Sequence, residues 1–470
     1  FAPTLGYGLL HGWDDNVYVT NNVARLTFTP GNLAYWFTHD CVLCYLPLTM
    51  LSYMADHALW GLNAFGYRLQ NLLWHGVATL ALFAVLRLLR LRPLPAFLAA
   101  LLWAVHPQRV ESVVWVSERK DVLCAALYFG ALALYLRAVA HGRQPWAALG
   151  LLVGAMLAKS MAISLPVALV ALEVQAWVAA RGVRWPDRTA WCAAGRRVLP
   201  FALIALLFVP VTIHFQSIPA EETTPGRQIA VAAHNLLWYA AKSLLPGGLC
   251  PIYPRIDLTG GLLALVGTAW LALAALLAAA WRRWPAIVLG VVLPALLGYA
   301  AALAPVSGLV PLGYVDMSDR YGYIPSAFLW ALVASALQAV LANRPPAGRR
   351  PWHRLCLPAV TALAVGYAAT SLLYSRLWRD IETLTRSACR REPANVFALG
   401  QLGDILVDRG AFDEVLVLGG RLAAADHAWM TAAARQNALA RGLYFQGFAL
   451  YNLGKPEEAL RIFEAIAPQL

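Results

Sequence analysis

The sequence predicts an all-α membrane protein with about eleven transmembrane helices, followed by a smaller helical domain. The first supporting observation is composition: 60% of the 470 residues are hydrophobic and 13% are charged, whereas soluble globular proteins are about 45–50% apolar and about 25% charged. The second is the alternation of long apolar runs with two different kinds of loop. The third is a change after Tyr374, where uniformly apolar sequence gives way to amphipathic sequence.

Ten apolar runs predict membrane-spanning helices, because a span needs roughly 20 predominantly apolar residues. An additional apolar run before residue 11 is short, and we interpret it as the end of a first membrane helix that begins before Phe1. Several runs are short for a bilayer, so helices near 103–115 and 157–161 are expected to end inside the protein around a water-filled cavity, where non-helical backbone is tolerated. The ten runs are 66–86, 93–104, 122–135, 146–157, 162–178, 198–213, 261–280, 285–303, 324–341 and 355–374.

The two kinds of loop predict the orientation of the chain. One kind is short and rich in arginine, and such loops stay on the cytoplasmic side of a membrane. The other kind mixes carboxylates with aromatic residues and is expected to face outward. The net charge of +12 is therefore interpreted as a topology signal rather than as a nucleic-acid surface. The arginines are Arg87, Arg90, Arg92, Arg137, Arg143, Arg181, Arg184, Arg188, Arg196, Arg197, Arg282, Arg283, Arg344, Arg349, Arg350 and Arg354, and the outward carboxylates are Asp14, Asp15, Glu111, Glu118, Asp121, Glu221, Glu222, Asp316 and Asp319.

The predicted domains are a membrane domain, residues 1–375, and a helical domain, residues 376–470. Two segments of the second domain read as helix, glycine turn, helix, with matching turns at 410–414 and 454–458. This pattern is typical of tetratricopeptide repeats. The two turns are 44 residues apart (454 − 410), rather than about 34 residues as in that repeat, which predicts an insertion between them.

The seven cysteines show no metal-ligand spacing. Cys41 and Cys44 form a Cys-x-x-Cys pair, but no thioredoxin-like βαβ pattern surrounds them. We interpret the pair as small apolar residues or a structural disulfide rather than as a redox motif.

An acidic pair opens the first outward loop, residues 11–65. Asp14 and Asp15 occur in "GWDDNVYVTNN", directly after an apolar segment. One interpretation is a turn or a helix N-cap, since short polar side chains accept hydrogen bonds from free backbone amides there. The other is a catalytic base, because a positioned carboxylate can take the proton of an attacking hydroxyl.

Three later segments bring further charges to the same predicted side: "HPQRVESVVWVSERKDVL", "MLAKSMAISLP" and "DMSDRYGYIP". A charge at membrane depth is costly, so Lys159 is expected to pair or to line a polar path. Cations here suit an anionic lipid, whose phosphate they would hold and stabilise as it leaves. The alternative is a salt bridge or a contact with lipid headgroups. For Arg109 with Glu111 and Lys120 with Asp121 both interpretations stay open, whereas Lys159 and Arg320 favour a functional role.

Six segments in this order resemble a known family, and helical repeats follow them. They are "WDDNVYVTNN", "PLTMLSYMADHALWGLNAFGYRLQNLLWHG", "HPQRVESVVWVSERKDVL", "AKSMAISLP", "MSDRYGYIP" and "WRDIETLTRSACRREPANVFALGQLGDIL". The chain resembles the transmembrane and tetratricopeptide-repeat O-mannosyltransferases and their bacterial relatives, within the GT-C glycosyltransferase superfamily. The resemblance covers nearly the whole chain.

This resemblance implies a GT-C membrane fold and an inverting transfer of a sugar, mannose in that family, from a polyprenyl-phosphate donor to a hydroxyl on a protein or glycan. Asp14 would act as the base, and Asp15 would orient the acceptor or a cation. The need for a divalent metal is left open, and the C-terminal repeats would stand near the acceptor. The candidates for the donor phosphate are Arg119, Lys120, Lys159 and Arg320, and those for other substrate contacts are His106, Arg109, Glu111, Asp121, Asp319 and Tyr321.

The alanine- and arginine-rich composition is typical of a GC-rich bacterial genome. It favours undecaprenyl phosphate over dolichyl phosphate, and a bacterial inner membrane with the active site and repeats on the periplasmic side. Two other functions remain open: an oligosaccharide ligase or polymerase that uses a lipid diphosphate, and a non-enzymatic transporter or scaffold that binds partners through its repeats. A transporter is expected to have related halves, and the sequence shows no such symmetry.

Overall fold

The computed structural model describes residues 1–183, 187–215, 224–310, 315–342, 352–427 and 429–467. The regular secondary structure of these residues is helical, and no β-strand occurs among them, which confirms the predicted all-α class. Six predicted loop residues lie outside the described ranges: Arg184, Glu221, Glu222, Arg344, Arg349 and Arg350.

Each of the ten predicted apolar runs falls on a helix. Within the described ranges, eight helices, counted with their adjoining 3₁₀ or π turns, are long and apolar enough to cross a membrane. The chain is therefore a multi-pass membrane protein, whereas the count of about eleven spans stays a prediction. The eight are Ala64–Leu88, Val116–Ala140, Ser160–Arg181, Arg188–Phe215, Gly260–Arg283, Pro285–Val306, Pro325–Ala342 and Leu355–Arg379; two shorter apolar helices are Pro93–Val105 and Trp146–Ala158.

The two expected helix breaks are both present. Pro93–Val105 ends at His106, which is extended (φ −66°, ψ 134°), because a residue before proline avoids the helical region. Trp146–Ala158 ends at Lys159, also extended (φ −160°, ψ 133°). Short helical turns follow each break, so polar backbone and charged side chains lie between the long helices. The turns are Pro107–Arg109, Val110–Val114 and Val116–Glu118 after the first break, and Ser160–Ser164 after the second.

The first predicted outward loop folds into a small unit with its own core. Its helices, which the sequence reading did not predict, are Asp14–Tyr18, Thr20–Arg25, Pro30–Thr38 and Pro47–Trp60. Tyr18, Cys41 and Tyr53 are among its buried residues. The hydroxyl of Tyr53 donates to the carbonyl of Val116 over 2.7 Å. The loop is thereby fixed to the turns that follow the first helix break.

In the C-terminal region the described residues form five α-helices: Ile381–Arg391, Val396–Arg409, Phe412–Ala423, Ala432–Asn452 and Pro456–Ile466. The last four form two helix pairs, joined at Gly410 and Gly454. Both glycines have positive φ (75° and 78°), a conformation that glycine adopts without a Cβ penalty. The helix, glycine turn, helix pattern is confirmed, and the assignment to tetratricopeptide repeats stays a prediction.

The C-terminal helices dock on the membrane part through the segment after helix Pro225–Lys242. Asn395 donates from Nδ2 to the carbonyl of Ile252 over 2.9 Å, and Asp257 lies 3.1 Å from Nδ1 of His427. The rings of Trp115 and Trp378 pack 5.5 Å apart in a shared apolar cluster. Trp115 belongs to the turns after the first helix break, so the C-terminal helices contact the end of the bundle where the chain is most charged. We call this the charged end.

Candidate active site

Six charged side chains meet at the charged end, although they come from four separate parts of the chain. Three are carboxylates and three are cations. The turns after the first break and the helix Arg119–Ala140 contribute four of them, the second break contributes one, and the turn Asp319–Gly322 contributes one. We call this set the charged cluster: Glu111, Glu118, Lys120, Asp121, Lys159 and Arg320.

Glu118 is the centre of the charged cluster. Its Oε1 lies 3.0 Å from Nζ of Lys120 and 3.4 Å from Nε of Arg320. Its Oε2 lies 3.9 Å from Nζ of Lys159. A single carboxylate therefore faces all three cations, and the cations are held close together despite their mutual repulsion.

Two further carboxylates each hold one cation. Asp121 lies 2.5 Å from Nζ of Lys159 and accepts from Oγ of Ser112 over 3.0 Å. Glu111 pairs with the guanidinium of Arg320 and accepts its backbone N–H over 2.9 Å. Ser318 donates from Oγ to the same carboxylate over 2.7 Å. Burial lowers the pKa of Arg320, but Glu111 and Glu118 outweigh it and raise that pKa well above its usual range.

The cations of the charged cluster are more exposed than the carboxylates behind them. An anion that approaches from solvent therefore meets positive charge first, while the carboxylates keep the cations in place. The exposed fractions of the side chains are 8% for Lys120, 13% for Lys159 and 20% for Arg320, against 1% for Glu111, 1% for Glu118 and 2% for Asp121.

Aromatic residues surround two of these cations. Nζ of Lys120 lies 4.8 Å from the centroid of the Tyr18 ring and 3.3 Å from its hydroxyl. The guanidinium of Arg320 lies 5.1 Å from the Tyr321 ring and 5.7 Å from the Trp115 ring. Cation–π contacts of this kind hold a charge without occupying all of its hydrogen-bond donors.

Asp14 lies in the first turn of the short helix Asp14–Tyr18, which packs against the turn that carries Glu118. Its half-buried carboxylate has no hydrogen bond or ion pair among the described residues, but it interacts electrostatically with Lys120, Glu118 and Arg320. Burial raises the pKa of this carboxyl above its usual value, although Lys120 opposes the increase. The structure thus brings Asp14 to the charged cluster and leaves its oxygens available.

Asp15 is fully buried and points in a different direction. Its Oδ1 accepts from the backbone N–H and the hydroxyl of Ser117, and its Oδ2 accepts from the N–H of Leu10 over 2.8 Å. These bonds join the first loop to the turn that precedes Lys120. The two adjacent carboxylates therefore have different surroundings: one is available at the site and the other anchors the loop.

Arg119 is separated from the charged cluster although it precedes Lys120. It is fully buried and pairs with Asp56 over 2.7 Å. It also donates to the carbonyl of Tyr67 over 2.7 Å and to the side chain of Asn71. The guanidinium thus cross-links three helices.

His106 and Arg109 are buried in the turns after the first break. Nδ1 of His106 accepts from the N–H of Gln108 over 3.2 Å. Arg109 donates to the carbonyls of Gly322 and Tyr323 over 3.1 and 2.8 Å. The contacts of Arg109 hold the turn that carries Arg320 against the turns after the first break, and neither side chain makes a hydrogen bond or ion pair with the charged cluster in the described part of the chain.

Asp319 connects this turn to two distant segments. It is buried, and it accepts hydrogen bonds from the hydroxyls of Tyr253 and Tyr374 over 2.7 and 2.8 Å. Burial and the nearby Glu111 raise its pKa above the usual value. Tyr253 belongs to the segment on which the C-terminal helices dock, so Asp319 links that segment to the neighbour of Arg320. The Tyr321 hydroxyl has no hydrogen-bond partner among the described residues.

Sequence reasoning missed the central role of Glu118 and the partners Tyr18, Ser117 and Asp56. Ser117 and Glu118 stand in the same "SERKD" run as the predicted cations, and that signal could have singled them out. Tyr18 and Asp56 are contributed by distant segments and carry no local signal. Within the described part of the chain, no group of three or more His, Cys, Asp or Glu residues could hold a metal ion.

A separate cavity of about 550 Å³ lies between the helices towards their other end. It is lined mainly by apolar side chains, including Leu86, Leu172 and Phe328, with Gln175 among its few polar residues. Leu86 adjoins Arg87, at the far end of the helix Ala64–Leu88 from the charged cluster. This cavity therefore does not belong to the site built by the charged residues.

The fold and the site together define a multi-pass membrane protein with the charged cluster at one end of its helix bundle. No protein-family model matches the chain, and no solved structure matches it. Curated proteins, however, show similarity over most of its length.

Three of these proteins carry the same kind of name. Protein O-mannosyl-transferase Tmtc3 of Drosophila melanogaster is 26% identical over 458 residues, which cover 79% of this chain and 47% of the fly protein. Protein O-mannosyl-transferase TMTC4 of Mus musculus is 26% identical over 474 residues, covering 85% of this chain and 61% of the mouse protein. Human TMTC4 is 32% identical over 183 residues, covering 32% of this chain and 25% of the human protein.

The chain is thus a relative of the TMTC O-mannosyl-transferases, which confirms the predicted resemblance. It spans about half the length of the curated relatives that it matches.

Proposed function

We propose that the chain is a GT-C membrane glycosyltransferase that moves mannose from a polyprenyl-phosphate donor to a hydroxyl of a protein acceptor. The observation that carries this proposal is the arrangement of Lys120, Lys159 and Arg320 in front of buried carboxylates, with Asp14 beside them. The names of the relatives support the sugar and the acceptor class.

The charged cluster suits a phosphate that must be bound and then released. Its three cations and three carboxylates sum to zero charge, so the site is electrostatically balanced without a ligand. The more exposed cations would contact the donor phosphate. As the bond from the anomeric carbon to the phosphate oxygen breaks, negative charge grows on that oxygen, and preorganised cations stabilise it.

Asp14 is the proposed general base. The acceptor oxygen attacks the anomeric carbon, the polyprenyl phosphate leaves with the bonding electrons, and Asp14 takes the hydroxyl proton. This single displacement inverts the anomeric centre. A raised pKa makes the carboxylate a stronger base, and the absence of hydrogen bonds to it among the described residues leaves its oxygens available.

The surrounding residues receive different roles in this proposal. Glu111, Glu118 and Asp121 hold the cations, and the Tyr321 hydroxyl contacts the sugar. We propose that Asp15, Arg119, His106, Arg109 and Asp319 position the loops, because each is buried and hydrogen-bonded to protein groups outside the charged cluster.

The proposed acceptor side is the end where the C-terminal helices dock. Those helices contact the segment 249–258 and the turns after the first helix break, next to the charged cluster. A polypeptide held by them would have its hydroxyls near Asp14. By the charge of its loops, this end faces outward, which in a bacterial inner membrane is the periplasm.

The proposal is tested with the purified full chain in lipid nanodiscs. Radiolabelled mannosyl-phospho-undecaprenol and mannosyl-phospho-dolichol are supplied with membrane-extracted acceptor proteins, and donor consumption and protein labelling are followed. We expect labelling of protein by at least one donor, and loss of labelling in Asp14→Asn. Consumption of an oligosaccharide diphosphate lipid instead, or equal labelling by wild type and Asp14→Asn, would overturn the proposal.

A further inference from the structure

A tight hairpin in the first loop places Cys41 and Cys44 directly opposite one another. The backbone N–H of each donates to the carbonyl of the other, over 2.9 and 3.0 Å. The two residues form an isolated antiparallel bridge, closed by a turn of only Val42 and Leu43. Cys41 is buried and Cys44 is half-buried.

The turn residues are strained. Val42 and Leu43 have φ of 52° and 55°, and the one other non-glycine residue with positive φ in the described ranges is Arg90. A two-residue hairpin with both φ values positive normally uses Asn and Gly, and a β-branched residue in this region is an outlier. Such a conformation persists only when its surroundings enforce it. One visible constraint is the carboxylate of Asp40, which accepts the N–H of Leu43 over 3.0 Å.

The Cα spacing of the hairpin lies within the range of disulfides, and the Cβ atoms would have to approach by roughly 1 Å to close the bond. In a hydrogen-bonded antiparallel pair the two Cα atoms are about 5.5 Å apart, and side chains of directly opposite residues lie on the same face. Disulfides join Cα atoms that are about 4.4–6.8 Å apart. The sequence pattern alone left the role of this Cys-x-x-Cys pair open, whereas the hairpin brings both sulfur-bearing side chains to one side.

We propose that Cys41 and Cys44 form a disulfide that closes this hairpin once the loop is in an oxidising compartment. The oxidant is a protein or small-molecule disulfide. The Cys44 thiolate attacks it and releases one thiol, and the Cys41 thiolate then displaces the second thiol from the mixed disulfide. Two cysteine thiols are oxidised to one disulfide, and the oxidant is reduced to two thiols, which take up the two protons.

Cys44 is the expected first nucleophile because it is the more exposed of the two. Burial raises the pKa of the Cys41 thiol to about 12, so that thiol is largely protonated and attacks an external disulfide slowly. Without the bond, the strained turn is held by backbone hydrogen bonds and by Asp40.

The disulfide would stabilise the small core of the first loop, which contacts Lys120 of the charged cluster through Tyr18. Cys41 belongs to the same small core as Tyr18, and Tyr18 contacts Lys120. Fixing the hairpin therefore limits movement of the loop that carries both Asp14 and Tyr18. This inference does not depend on the proposed sugar transfer, because it concerns a covalent bond that is detected directly.

The test is differential alkylation of the full chain, expressed in a bacterial membrane and quenched in acid. Thiols are labelled under denaturing conditions without reductant, the protein is then reduced, and the newly released thiols receive a second reagent of different mass. We expect Cys41 and Cys44 to carry the second label, and a Cys41–Cys44 linked peptide to appear before reduction. Cys192 is exposed and serves as the control that must carry the first label.

A second measurement does not require recovery of the linked Cys41–Cys44 peptide. A dithiol reductant is expected to lower the melting temperature of the wild type, but not that of the Cys41→Ser/Cys44→Ser variant. If both cysteines carry the first label in the wild type, or if reductant shifts both proteins equally, the proposal is wrong.

Discussion

Two neighbouring ion-pair groups in this protein contain similar residues but have different surroundings. Arg119 and Asp56 are both 0% exposed, and protein groups occupy the guanidinium. In the charged cluster the carboxylates are equally buried, but Lys159 and Arg320 are 13% and 20% exposed. The first group resembles an internal cross-link, whereas the second has an open cationic face. Charge and sequence position therefore do not distinguish the two groups, but the exposure of the cation relative to its partner does.

The largest expected effect comes from replacing Asp14, the proposed base beside the charged cluster. Asp14→Asn should reduce sugar transfer by about 10²–10⁴-fold, as loss of a general base does, while donor binding and melting temperature stay near wild type. Because burial raises the pKa of Asp14, the acidic limb of the wild-type kcat/KM profile should lie above the usual aspartate pKa. Transfer kinetics across pH, with donor binding measured in parallel, checks both statements. A normal rate in Asp14→Asn would remove this residue from the mechanism.

The next largest effect is on the free energy of unfolding and involves the buried pair of Arg119 and Asp56. Arg119→Met leaves Asp56 buried without its partner, which should cost about 3–5 kcal/mol of unfolding free energy. Replacing both residues, in Arg119→Met/Asp56→Leu, should recover most of that loss because no isolated charge remains. Thermal unfolding of the two variants measures the difference. If the Arg119→Met protein is stable but binds the donor more weakly, Arg119 contributes to phosphate binding instead.

Variants of Arg320 and Arg227 test whether the exposed cations of the charged cluster bind the donor phosphate. Arg320→Gln should weaken binding of a polyprenyl phosphate by about ten- to hundred-fold, the effect of one charge-assisted contact. Arg227 is the control, since it pairs with Asp316 and is 18% exposed, close to the value for Arg320, but it lies outside the charged cluster. Equilibrium binding of radiolabelled undecaprenyl phosphate gives both affinities. Equal losses in the two variants would show a general charge effect rather than a site.

The smallest effect concerns the hydroxyls that support the turn beside Arg320. Tyr253→Phe and Tyr374→Phe each remove a donor to Asp319 and should cost about 1 kcal/mol of stability. Tyr321→Phe is the control, because its hydroxyl has no hydrogen-bond partner in the described part of the chain. Chemical unfolding of the three variants provides the comparison. A loss in Tyr321→Phe equal to the other two would show that these bonds carry no specific stability.

The same variants have a predicted pH dependence. Burial and Glu111 raise the pKa of Asp319 in the folded protein, so the folded state binds this proton more tightly than the unfolded chain. The contribution of Asp319 to stability is therefore fully present below its unfolded pKa and is lost as pH rises through its raised folded pKa. The two tyrosine hydroxyls stabilise the carboxylate, and the pKa of Asp319 is raised to about 8, so the cost of Tyr253→Phe should increase as pH rises through about 8. A cost that is independent of pH would contradict this assignment.

The sequence predicted the membrane helices and the two helix breaks because both depend on local properties. Apolar length predicts a span, and apolar runs too short for a bilayer predicted helix ends near 103–115 and 157–161. The carboxylate Asp14 and the cations Lys159 and Arg320 were also expected on one side, because loop charge predicts topology. The structure places them together at the charged end.

The partners of the charged residues could not be predicted in the same way. Arg119 and Lys120 are adjacent in sequence, but one turns towards Asp56 and the other towards Glu118. Asp14 and Asp15 diverge similarly, since Ser117 lies 102 residues further along the chain. These differences depend on how distant segments pack, and a single sequence without its fold contains no direct measure of that packing.

The proposed donor site is tested most directly by the position of the phosphate in an experimental structure of this chain with bound undecaprenyl phosphate. We expect phosphate oxygens within hydrogen-bond distance of Lys159 and Arg320, on the same side as Asp14. A phosphate bound at Arg119, or in the apolar cavity beside Leu86, would contradict it.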